Sequence, residues 1–126
     1  MRPPTLPEQL GFVSGQRYAL VALPDAIRPL FSVLPDGTQQ ADCNLDIAVL
    51  FVSDSIMLAA RWADLAPMLT PSSLVWLCWP RAGVLRSDLD QPRVEEMMSA
   101  RGFHPARAQA VDEVWTALQL SPVARP

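Results

Sequence analysis

The sequence has no lysine, a single histidine, two cysteines, five glycines and no long apolar run. All ten basic residues are arginines, scattered from Arg2 to Arg125 among thirteen acids, for a net charge of -3. A nucleic-acid-binding chain gathers positive charge on one face, so this distribution argues against nucleic acid as a partner. Cys43 and Cys78 stand far apart in no C-x-x-C pair. With His104 they fall short of the four spaced ligands of a structural zinc site. No metal is expected, and both thiols read as reduced, Cys78 as a small hydrophobe inside an apolar run. The longest such runs, "IAVLFV" and "LVWLCW", are far below the ~20 residues of a membrane-spanning helix. The N-terminal "MRPPTLPEQLGF" has no apolar signal core, so no membrane partner and a cytoplasmic location are expected.

What the chain does contain is a folded domain. Half of its 126 residues are hydrophobic and under a fifth are charged, which suits one domain with one core. Residues 1–15 read as a Pro-rich loop, 16–121 as a single α/β domain, and 122–126 as a tail. "RYALVAL" (17–23), "LDIAVLFV" (45–52) and "SLVWLCW" (73–79) are continuous apolar runs, as in strands covered on both faces. Between the first two, "DAIRPLFSVL" (25–34) places Ile27, Leu30, Phe31 and Leu34 at helical spacing, with Pro29 about one turn in. "TQQADC" (38–43) is at best an edge strand.

A helix capped by Ser53 or Asp54 carries Leu58, Trp62, Leu65 and Leu69 as its apolar stripe, with Pro67 ending its regular part. Asp90 caps a third helix, whose core side is Val94, Met97 and Met98 and whose stop is Gly102. "ARAQAV" (106–111) and "VWTALQL" (114–120) form a last pair, either a hairpin or one bent strand. Alternation of strand and helix predicts a three-layer Rossmann-like α/β domain, with a mostly parallel sheet, helices on both faces and antiparallel C-terminal strands.

Two family resemblances follow from these residues. "LGFVSGQRYALVAL", "LDIAVLFVSD" and "PSSLVWLCWPR" resemble the first, fourth and fifth strand regions of class I S-adenosylmethionine-dependent methyltransferases. In that family a Gly-rich turn after the first strand admits the cofactor. Here the turn is Ala22-Leu23-Pro24-Asp25-Ala26, and only one short strand fits before the next long one. The resemblance therefore implies a reduced relative without the cofactor site or its ribose-binding acid, and no cofactor is expected.

The second resemblance covers about residues 10–120 and is to an uncharacterised bacterial domain-of-unknown-function family. That family reads Leu-Gly, Pro-Gly, Asn-Ala-Pro, Phe-Val, Trp-Pro-Lys, Thr-Asp-Leu and Asp-Glu-x-Trp-Ser. The matching residues are Leu10-Gly11, Ser14-Gly15, Ala22-Leu23-Pro24, Phe51-Val52, Trp79-Pro80-Arg81, Ser87-Asp88-Leu89 and Asp112-Glu113-Val114-Trp115-Thr116. Arg81 stands for the family's lysine, and a guanidinium cannot serve as a lysine-type nucleophile.

In an open α/β sheet, ligands bind beyond the carboxyl ends of the parallel strands. Arg81, Arg86, Ser87 and Asp88 fall there as a candidate ligand-binding set, in which the arginines would clamp a small anion. The alternative gives these groups structural duties: Gly83 turns, Asp25, Asp54 and Asp90 cap helices, and Arg81 pairs with Asp88 or Asp112. Asp112 and Glu113 are adjacent in the chain and would point apart on a strand, which disfavours an acid/base pair. His104 has no Ser or Cys nucleophile in a recognisable setting, so no catalytic residue is assigned. The expectation is a non-catalytic binding or protein-interaction module that has lost a methyltransferase cofactor site. Its partner would be a second copy, another protein or a small anionic ligand. The alternative is a small enzyme acting on an anionic metabolite through the Arg81/Arg86/Asp88 loop.

Overall fold

A computed structural model describes residues 4–81 and 87–122, the last by its backbone alone. Six strands form one mixed sheet: β1 (Arg17–Val21), β2 (Gln39–Gln40), β3 (Leu45–Phe51), β4 (Leu69–Pro80), β5 (Phe103–Ala110) and β6 (Trp115–Pro122). Their order across the sheet is β2-β1-β3-β4-β6-β5. The first four strands run parallel, and β6 lies antiparallel to both β4 and β5. The C-terminal pair is therefore a hairpin.

Three α-helices accompany the sheet, α1 (Leu6–Leu10), α2 (Ser55–Leu65) and α3 (Gln91–Ser99). On one face Leu58, Trp62 and Leu65 of α2 and Val94 and Met98 of α3 meet Ala48, Leu50, Val75, Leu77 and Leu118 from the strands. On the other, Leu10, Phe12, Ile27 and Phe31 meet Ile47, Val49, Phe51, Trp76 and Ala117. The alternation of Ile47, Val49 and Phe51 with Ala48 and Leu50 follows from the two-residue period of a strand. Both faces are apolar, as the continuous runs predict.

Caps fix the helix starts. Asp54, rather than Ser53, caps α2 by accepting from the Met57 N–H at 2.7 Å, and Asp90 caps α3 through the Arg93 N–H at 2.9 Å. Pro67 falls in a short 3-10 turn, Ala66–Met68, that ends the regular helix, and Leu69 already begins β4. Met97 is only partly buried against the core.

Two stretches differ from expectation. Within the Pro-rich N-terminus expected as a loop, Leu6–Leu10 is helical: Thr5 and Glu8 form a reciprocal capping box that starts α1, and Leu10 is fully buried. Residues 25–34 do not form an α-helix, but a turn and a 3-10 helix, Arg28–Phe31. Pro29 has no N–H to donate, and Pro24 and Pro35 fence the segment too closely for a regular helix. The tighter winding buries Ile27 and Phe31 but leaves Leu30 40% exposed.

Candidate functional site

The carboxyl ends of β1, β3 and β4 lie along one edge of the sheet, and the β5–β6 turn arrives beside them, where Pro80 is paired with Trp115. The chain leaves β1 toward β2 on one side and returns as β3 on the other, so the switch in strand order falls between β1 and β3. At this point Ala22 adopts a left-handed backbone, φ 57°, a region that costs little only for glycine. Asp25 caps no helix, contrary to expectation, because the 3-10 turn begins after Ile27; it pairs instead with Arg28 at 3.3 Å, both side chains being exposed.

The acids along this edge hold backbone amides. Asp54 caps α2 as described above. Asp88 accepts the Ser55 N–H at 2.8 Å and also the Ser55 hydroxyl, and Arg93 Nε lies 3.9 Å away. These contacts, the Ser55 hydroxyl foremost, hold the Asp88 carboxyl below the usual carboxylate range. Asp112 accepts the N–H groups of Val114 at 2.8 Å and Trp115 at 2.7 Å, which shapes the β5–β6 turn. The Ser87 hydroxyl accepts the Leu89 N–H at 3.0 Å. So Asp88 ties the segment before α3 to the first turn of α2, and Ser87 stabilises its own turn. Neither Asp88 nor Asp112 meets Arg81 in an ion pair, contrary to the pairing expected from sequence.

Arg81 is exposed, and its backbone N–H donates to Val114 O at 2.7 Å. Its side chain borders an open depression of ≈ 520 Å³ with Ala110, Asp112, Glu113 and Val114. Arg81 is thus brought next to the Asp112–Glu113 turn, not to Asp88. Gly83 and Arg86 lie outside the described residues, and with Arg86 one half of the expected two-arginine clamp. Cys78 is fully buried, and its burial pushes the thiol pKa up, as expected of an inert structural thiol. Among the described residues no group of three or more His, Cys, Asp or Glu could hold a metal ion, and no helix is long and apolar enough to cross a membrane.

A larger concavity, ≈ 700 Å³, lies elsewhere. It flanks β1 and β2 on the face with α1, between Tyr18, Leu20 and Leu23 on one side and Phe31 and Ser32 on the other, with Asp25 and Arg28 among its lining residues. It adjoins the 3-10 segment, on the face where an α-helix was expected. The three prolines at positions 24, 29 and 35 were the available signal.

The fold is shared with known proteins. Residues covering 92% of this chain superpose on 74% of the ribosomal protein L11 methylase of Lactobacillus delbrueckii subsp. bulgaricus, with TM-score 0.59 and 12% identity. A complex of DhpI with SAH matches with TM-score 0.58 and 15% identity, over 94% of this chain and 82% of that one. The 1,6-didemethyltoxoflavin-N1-methyltransferase of Burkholderia thailandensis, with bound 1,6-didemethyltoxoflavin and S-adenosylhomocysteine, gives 0.59 and 11%, over 94% and 75%. No protein-family model and no curated protein sequence matches the chain. At such identities the likeness speaks for architecture alone. The chain has the Rossmann-like fold of the methyltransferases, with a six-stranded mixed sheet, mostly parallel and ending in antiparallel strands.

Proposed function

We propose that the chain is a non-catalytic binding or protein-interaction module, built on a methyltransferase-type fold whose cofactor site has been lost. The observation that carries this reading is the end of β1. There Ala22 places a Cβ on a left-handed backbone, and Leu23-Pro24 follows it. Methyltransferases of this type bring their cofactor against glycine at the corresponding turn, and a Cβ there obstructs that approach. The edge acids support the same reading, since Asp54, Asp88 and Asp112 each hold backbone amides.

The stretches read as resembling the uncharacterised bacterial family also fall on structural duties in this chain. Trp79 and Leu89 are buried, Asp88 and Asp112 fasten turns, and Trp115 packs in the core. Titration calorimetry with S-adenosylmethionine tests the reading. No saturable heat is expected, and tight one-site binding would overturn it.

A second reading, a small enzyme using the Arg81/Arg86/Asp88 loop on an anionic metabolite, is favoured by one observation. The exposed Arg81 lines an open depression, and no ion pair or side-chain hydrogen bond engages it among the described residues. Asp112 and Glu113 in the same depression oppose it, because they weaken attraction for an anion.

A further inference from the structure

The open edge of β1 and the groove beside it carry an inference about what this module binds. In β1 the carbonyls of Gln16 and Tyr18 accept the N–H groups of Gln39 and Ala41, both at 2.9 Å. The backbone groups of alternate residues point to the same side of a strand, so the N–H and C=O of Leu20 also face the β2 side. There β2 has already ended, at Gln40. Beyond Ala41 the chain turns back toward the start of β1, where the Arg17 guanidinium donates to the Cys43 carbonyl at 3.1 and 3.0 Å. Among the described residues, no loop backbone or side-chain group bonds the β2-facing side of Leu20.

An unpaired strand edge is a template for another strand, because every backbone donor and acceptor seeks a partner. The space to receive one is present. Leu20 and Gln40 line the ≈ 700 Å³ groove together with Tyr18, Leu23 and Phe31. The opposite edge of the sheet is guarded: β5 is interrupted by Pro105 and by a bulge between Pro105 and Arg107.

We infer that the groove takes an extended polypeptide segment of a partner protein, added as a short strand at Leu20. This rests on the binding-module reading and names its partner class. The segment accepts a hydrogen bond from the Leu20 N–H and donates one to its carbonyl. Strand addition of this kind draws affinity from the main chain and selectivity from alternate side chains. One side chain in two enters the groove between Tyr18, Leu23 and Phe31 and is apolar. The Asp25–Arg28 pair at the rim is internally neutralised at 3.3 Å, so the segment is uncharged at that point. Three or four residues at ~3.3 Å each span about 10–13 Å.

Hydrogen exchange read by NMR at the Leu20 amide tests this, because exchange reports local hydrogen bonding residue by residue. The probes are blocked pentapeptides with Thr at positions one, three and five and Val, Leu or Phe at two and four. In the free protein the Leu20 amide exchanges fast, whereas Ala19 and Val21, which face β3, are slow. At least one peptide at saturation slows Leu20 by about tenfold or more, and its counterpart with methylated backbone amides does not. Ser32→Trp, at an exposed position lining the groove, abolishes the slowing while the melting temperature stays unchanged.

Strand addition is overturned if Leu20 is protected without peptide, if no peptide slows it, or if the methylated peptide acts equally. Slowing that grows with protein concentration, with dimer in sedimentation, assigns the edge to a second copy and also overturns the peptide. These failures leave the non-catalytic reading intact, whereas calorimetric binding of S-adenosylmethionine removes that reading first and the partner assignment with it.

Discussion

The two faces of the sheet are covered by different means. One face lies under α2 and α3, whose leucine, valine and methionine side chains meet it, and the large hydrophobic exposed there is Ile56, in the first turn of α2. Among the described residues the other face has the five-residue α1 and a four-residue 3-10 turn as its helical cover, and Val13, Leu30 and Val33 stand 57%, 40% and 74% exposed on its covering segments.

Aromatic rings supply much of what the missing helix would have. Tyr18, Phe12, Phe31, Phe51 and Trp115 form a continuous edge-to-face series with centroids 5.4–6.3 Å apart. Among the described residues the helical face has one such pair, Trp62 with Phe103 at 4.9 Å. A strand presents apolar side chains to both sides without discrimination, so the difference arises in the connections. Three prolines between β1 and β2 turn a covering helix into a covering loop, and large rings bridge the gaps.

The comparison can be broken at its strongest point first. Leu58→Ala, under the helical layer, should cost ~2–5 kcal/mol because the rigid helix cannot collapse onto the cavity. Urea unfolding measures this, and a cost near zero would mean that the helical layer is not the firm one. On the aromatic face, Trp76 donates its Nε1–H to the Leu10 carbonyl at 2.7 Å. Trp76→Phe should cost about 1–3 kcal/mol, since a buried carbonyl is left without a partner. The loss should come with faster proteolysis of the N-terminal segment alone.

The smallest effect concerns the tie between α2 and the segment before α3. The folded-state pKa of Asp88 lies below its unfolded value, so its contribution is complete above the unfolded pKa, about 3.9, and fades as pH falls through the folded one. Asp88→Asn should lower the melting temperature at pH 7, and the gap from the parent protein should close on acidification below pH ~4. An undiminished gap at low pH would show that Asp88 acts through shape rather than charge.

Much of this architecture was legible in the sequence because its signals are local. Continuous apolar runs marked β1, β3 and β4, and Asp54 and Asp90 sit where helix-capping chemistry places them. The mixed sheet followed from element order, whereas the choice between a hairpin and one bent strand for the C-terminal pair was settled only by the pairing of β5 with β6. The helix α1 also had a local signal, Thr5 three residues before Glu8, which the neighbouring prolines obscured. The 3-10 turn was missed because Ile27, Leu30, Phe31 and Leu34 keep a helical spacing that three prolines override. The candidate site was less legible. Asp88 was readable as a polar group at a strand's end, but its partner Ser55 lies 33 residues away, a pairing that no local pattern encodes. The groove beside β1 was not legible, because it depends on where β2 stops.

Arg107 reaches across the molecule: its guanidinium lies 5.1 Å from the Trp76 ring centroid and donates to the Gln9 carbonyl at 2.8 Å, over a separation of 98 residues. Gln109 likewise meets the Gln9 side chain at 2.7 Å. These contacts require β5, which pairs with β6, the strand that lies in turn on β4. The consequence is kinetic. Contacts so distant in the chain are slow to form and come after the pairings that make them near, so the α1–β5 contacts are made late. Arg107 and Gln109 therefore fasten α1 to the sheet only once the β5–β6 hairpin is in place.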